Sequence, residues 1–87
     1  MDKEVVRELT WFDKESELLV GEAELLGLEL TTLHHLFGQW PQDPLYSLDY
    51  PVGEPEIKEL AKYLSSQTLI DLEHYDYFVS CHVRDHL

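Results

Sequence analysis

The period of the apolar residues switches between two and about 3.6 along this chain, and that switch restricts the fold to a mixed α and β architecture. Between residues 4 and 12, Val5, Arg7, Leu9 and Trp11 alternate with Val6, Glu8, Thr10 and Phe12, the two-residue repeat of a strand. Polar Asp13-Lys14-Glu15-Ser16 follows, then Leu18-Leu19-Val20 with Gly21 and Ala23, so the spacing predicts a β-hairpin. From Leu25 to Phe37 the period becomes helical, with Leu26, Leu30, Leu33 and Phe37 on one stripe and Leu36 beside it. A helix over about 30–37 is expected, ended by Gly38. Pro41 and Pro44 bar its continuation, because proline lacks an amide donor and pushes the residue before it toward extended geometry. Leu45 to Val52, bounded by Pro44 and Pro51, reads as a short extended segment suited to a sheet edge.

A second helix is the clearest element. Gly53 stands at its cap, Glu54, Pro55 and Glu56 fit its first turn, and Ile57, Leu60, Ala61 and Leu64 form its apolar stripe. After Ser65-Ser66-Gln67 the chain returns through Leu69–Leu72 to Tyr75–Val83, rich in aromatic and β-branched residues, which is read as the last strand. A lone hairpin is too small to be stable, so this strand is expected to pair with it while the helices cover one face. The expected fold is α+β: an antiparallel sheet of three or four strands with two helices packed on one face, all within a single domain over 1–87. A chain of 87 residues buries roughly 65% of its unfolded surface, enough for one modest core.

Charge narrows the partners. With 18 acidic and 6 basic residues the formal charge is −12, a field that repels nucleic acid phosphates and anionic membranes. Apolar runs of a few residues give no membrane-spanning stretch, and Met1-Asp2-Lys3-Glu4 lacks the basic and apolar regions of a signal peptide. A cytoplasmic location is expected. The single Cys81 makes an intrachain disulfide impossible.

Residues with chemical potential are present but badly spaced for chemistry. His34 and His35 are adjacent, so on a helix they point about 100° apart and cannot chelate one ion together, as an i,i+4 pair can. Cys81 and His82, neighbours on a strand, face opposite sides of the sheet, and acidic surroundings raise a thiol's pKa where a nucleophile needs it lowered. Of the carboxylate pairs Glu22/Glu24, Glu54/Glu56 and Asp71/Glu73, none stands out from solvated surface charge. The four glycines, at 21, 27, 38 and 53, form no phosphate-binding loop. No catalytic residue, metal ligand or cofactor is expected.

The acids themselves are the more unusual feature. No basic residue lies between Lys14 and Lys58, whereas Glu15, Glu17, Glu22, Glu24, Glu29, Asp43, Asp49, Glu54 and Glu56 all do. Concentrated negative charge serves solubility and also steers association with a basic protein. Trp40, Tyr46 and Tyr50 stand among these acids in the proline-punctuated region, and aromatics inside a charged rim commonly anchor interfaces. The candidate partner-binding residues are therefore Glu22, Glu24, Glu29, Trp40, Asp43, Tyr46, Asp49 and Tyr50.

Leu36-Phe37-Gly38, Asp43-Pro44-Leu45-Tyr46, Tyr50-Pro51-Val52 and Tyr75-Asp76-Tyr77-Phe78 together resemble a family of small, acidic, uncharacterised bacterial proteins. Its members carry a similar Asp-Pro-hydrophobic-Tyr loop before a helix and close on a Tyr-Asp-Tyr-Phe strand. The resemblance spans most of the chain and implies a bacterial origin and a single-domain fold; it transfers no active site. In size and acidity the chain is also similar to toxin-immunity proteins, which bind basic nucleases. The leading expectation is a non-enzymatic module binding a basic protein surface, of inhibitor or immunity type. The alternatives are a homo-oligomer, possible as a dimer, assembling through the edge of Tyr75–Val83, and a small enzyme that brings His34 or His35 to Cys81 or a carboxylate.

Overall fold

The structure is a computed structural model and describes residues 2–65 and 68–86; Ser66 and Gln67, read above as part of a connection, lie outside the described residues. Strand β1 (Asp2–Asp13) and β2 (Leu19–Glu24) form the expected hairpin, followed by helix α1 (Leu30–Phe37), strand β3 (Tyr50–Val52), helix α2 (Glu54–Leu60) and strand β4 (Tyr75–His86). The four strands make one sheet in the order β2-β1-β4-β3, with every neighbouring pair antiparallel. The fold is α+β, as the periodicity requires.

Register decides which side chains share a face. β4 runs beside β1 along its whole length, from Asp2↔His86 to Asp13↔Tyr75, placing Leu9 opposite Val79 and Trp11 opposite Tyr77. Directly opposed residues lie on one face, so Leu9, Tyr77 and Val79 turn the same way. They meet Leu33 of α1, Ile57 and Leu60 of α2, and Leu25, Tyr46 and Val52 in a single buried cluster. Both helices therefore cover one face; the other, open face carries no helix among the described residues, and Val6 and Thr10 on it are buried.

Several elements depart from their expected extents for local reasons. Leu45–Asp49 are irregular instead of strand, leaving only Tyr50–Val52 extended; β3 is an edge, as Pro51 suits. Helix α2 stops at Leu60 and tightens into a 3-10 turn at Ala61–Tyr63, which swings Leu64 out of the helical stripe to bridge Leu25. Leu26 and Leu30, placed above on one apolar stripe with Leu33 and Phe37, are exposed. Leu26 precedes a turn at Gly27, whose φ of 74° lies in the left-handed region, so it never joins the helix. Tyr75–Val83, nominated above as a free edge, is flanked by β1 throughout and by β3 at Tyr77–Val79.

Candidate functional site

The loop after α1 is built around Asp43. Its side chain is 5% exposed, and it accepts hydrogen bonds from Ser47 N–H and Oγ (2.8 and 2.6 Å), Leu48 N–H (3.0 Å) and the Tyr50 hydroxyl (2.7 Å). The Ser47 hydroxyl above all, aided by the backbone donors and Tyr50, holds the Asp43 carboxyl far below the ordinary range against the opposing effect of burial. Burial, together with that carboxylate, pushes Tyr50 up to about 12. Tyr46 is 3% exposed, sits at a left-handed φ of 52°, and donates its hydroxyl to the Gly38 carbonyl. Its own carbonyl and that of Leu45 accept from the two terminal nitrogens of Arg7 at 2.7 and 2.6 Å. Phe37, Trp40 and Tyr46 all pack their rings against Tyr50, with centroids 5.5–5.9 Å away.

Asp43 and Tyr46 thus spend their polar groups inside the domain, and their expected role as partner anchors gives way to one in holding the loop. Tyr50 is half-buried beside them. Trp40 is exposed, although its indole N–H is committed to the Phe37 carbonyl at 2.7 Å. Glu29 begins α1 and Asp49 precedes β3, both exposed. Glu22 and Glu24 belong to neither place: they stand on the open face of the sheet, opposite Thr10 and Glu8.

That open face carries Glu4, Glu8, Glu22, Glu24 and Asp76, whereas Glu29, Glu54, Glu56 and Glu59 belong to the helices and Asp43 is buried. The central rows of the face are Phe12 against Phe78, edge-on at 5.7 Å; Thr10 and Ser80, sharing a hydrogen bond at 3.0 Å; Glu8 with His82 at 2.8 Å; and Arg84 at 3.3 Å from Glu4 and 3.7 Å from Glu24. Glu8 and Glu24 oppose each other directly, a like-charge pairing that costs stability. Beside the two phenylalanines, Asp13, Glu17, Asp49 and Asp76 line a cleft of about 320 Å³, and Lys14 reaches Asp76 at 3.7 Å. Phe12 and Phe78 were not singled out from sequence, where they read as ordinary strand aromatics; only cross-strand pairing joins them. Arg7 was likewise overlooked, although a cation alternating with Val5, Leu9 and Trp11 was a visible anomaly.

The groups considered for catalysis are not assembled. His34 and His35 are exposed and border a hollow with Pro44 and Tyr46, whereas Cys81 lines a different groove beside Val5 and Val83. His82 turns to Glu8 on the opposite face from Cys81. Asp71, Glu73 and His74 bring ligand atoms within 4.8 Å of one another. Asp71 is already occupied there, accepting from the Glu73 and His74 amides and from the His74 ring at 2.8 Å, and its carboxylate raises the His74 pKa above 6.5. Among the described residues, no helix is long and apolar enough to cross a membrane.

No curated protein matches the sequence. A family model described as a domain of unknown function (DUF7683) matches residues 6–80, a span that runs from β1 to the middle of β4 and includes the Asp43 loop and both helices. The chain belongs to this DUF7683 family.

Proposed function

We propose that the domain is a non-enzymatic, cytoplasmic module that binds a basic protein surface, in the manner of an inhibitor or immunity protein. The observation that carries this reading is the composition of the open sheet face. Glu4, Glu8, Glu22, Glu24 and Asp76 share it with Arg84 and His82, while Glu17 and Asp49 extend the negative rim around Phe12 and Phe78. Half-buried aromatics inside such a rim supply area, and the carboxylates supply steering and register. Sequence-distant acids converge there beside Phe12 and Phe78 instead of Trp40. Glu22, Glu24 and Asp49 remain interface residues in this reading; Asp43 and Tyr46 do not.

Affinity capture from the native host at low and high salt tests it, with wild type compared to Glu22→Lys/Glu24→Lys. A basic protein captured by the wild type should be lost by at least about tenfold in high salt and with the double variant. Capture indifferent to both changes would overturn the reading. Self-assembly is the competing reading, favoured by exposed Leu18, just before the outer strand β2, and Leu19 and Val20 within it; light scattering showing a stable dimer would support it.

A further inference from the structure

Among the described residues, the first half of β1 has a neighbouring strand on one side only. Its ladder with β2 ends at Glu8↔Glu24, and the last bond across is Leu25 N–H to the Arg7 carbonyl at 2.8 Å. Beyond it, Leu25 bridges to Leu64 and Leu26 N–H bonds the Tyr63 carbonyl, so the chain leaves β1 while β4 accompanies it to Asp2. Backbone groups along a strand point alternately to its two neighbours. The Arg7 carbonyl and the Asp13 N–H, which bonds Leu18, assign the odd-numbered residues of β1 to the β2 side. Lys3 and Val5 therefore turn their N–H and C=O toward a side where no strand lies among the described residues.

The space beside them is a groove of about 450 Å³ with two chemically different walls. On the helix side, Val5, Leu26, Leu30, Leu45 and Val83 converge, all of them exposed large apolar residues. On the open-face side stand Glu4 and Glu24, which have Arg84 as a shared cation, and Glu8 and Glu22 continue the negative surface along the sheet. An apolar patch beside a free strand edge is a recurring protein-recognition surface. A strand added to this edge would alternate its side chains between the two walls.

We propose that the β1 edge at Lys3–Val5 is a strand-addition site for an extended segment alternating apolar with Lys or Arg residues. Its apolar side chains fill the groove and its cations lie over Glu4, Glu24 and Glu22. This inference rests on the reading of a basic partner and specifies where and how part of that partner docks. The β2 edge is the poorer template. A register shift between Trp11 and Phe12 interrupts its ladder with β1, and Tyr63–Ser65 occupy one end. A second copy of the chain would bring another charge of −12 to an already acidic edge.

The probe is a short peptide alternating Lys and Val, followed by amide hydrogen exchange and NMR shifts on the intact domain. Two controls accompany it: the same composition in blocks, and an alternating Glu and Val peptide. The alternating basic peptide should slow exchange of the Val5 amide by at least about tenfold at saturation, leave Leu9 unaffected, and outcompete both controls. Leu26→Ser and Leu45→Ser, neutral changes at exposed positions, should weaken it by about tenfold or more with the melting temperature little changed. If both basic peptides bind equally and Val5 stays unprotected, the strand-addition site is overturned while the basic-partner reading stands. If no basic peptide binds anywhere, both fall. Sedimentation that reveals a dimer with Val5 already protected would assign the edge to a second copy and overturn the proposal.

Discussion

Arg7 and Asp43 show how two buried charged residues can organise a loop that has almost no regular structure. Arg7 holds the Leu45 and Tyr46 carbonyls with a planar fork, a geometry lysine cannot reproduce. Hydrogen bonds from a charged donor contribute about 1.5–3 kcal/mol each. Arg7→Met should therefore destabilise the domain by about 3 kcal/mol or more in urea unfolding, and Arg7→Lys by less, because one ammonium satisfies one carbonyl well. Asp43 gives a pH signature. Its folded pKa is depressed below 3.8, mainly by the Ser47 hydroxyl, so its stabilisation is fully present above 3.8 and is lost as pH falls toward the folded value. The gap in urea midpoint between wild type and Asp43→Asn should stay constant from neutral pH to about 5 and close below about 4. A gap independent of pH would contradict this role for the carboxylate.

At the scale of elements, the strands are set by cross-strand fit more than by propensity. Gly21 lies opposite Trp11, and a Cβ placed there would come within 2.4 Å of the indole ring. Trp11 in turn packs its ring 5.6 Å from that of Tyr77, so it has a wall on its other side. Gly21→Ala should cost about 1–3 kcal/mol by overpacking and change the near-ultraviolet circular dichroism of Trp11. Helix α2 was readable in sequence because its signals are local: Glu56 accepts from the Gly53 amide at 2.7 Å, and Pro55 occupies the first turn. The extent of β3 was not. The residues Leu45–Asp49 alternate plausibly, but Asp43 draws the amides of Ser47 and Leu48 into a turn, a competition between side chain and backbone that periodicity does not register.

At the scale of the whole molecule, a charge of −12 on 87 residues opposes compaction. The melting temperature at neutral pH should rise as NaCl increases from about 0.01 to 0.15 M, where the screening length falls from about 30 to 8 Å. Glu22→Lys makes a sharper test. Glu22 is exposed on the open face opposite Thr10, so reversing it should relieve repulsion and raise the melting temperature while weakening capture of a basic partner. Greater stability with weaker binding would mean that these acids are retained for recognition at a cost in folding. Loss of both would point to a structural role for Glu22.

The class of fold, the positions of both helices, the hairpin and the excess of acid follow from the sequence alone, since each depends on residues within a few positions of one another. Tertiary structure decided the rest. The 68 positions that separate Thr10 from the Phe78 carbonyl leave no periodic trace, yet the register between β1 and β4 sets which side chains share a face. That register sets Phe12 opposite Asp76 and Thr10 opposite Phe78, which brings the two phenylalanines together on the diagonal, while the hairpin pairing places Glu22 and Glu24 beside Glu8 and opens the β1 edge where β2 departs. It was equally tertiary structure that took Asp43 and Tyr46, two candidate anchors by composition, into the interior. A carboxylate and a tyrosine look the same in sequence whether they meet solvent or each other's neighbours; burial and hydrogen-bond partners distinguish them, and both are properties of the folded chain.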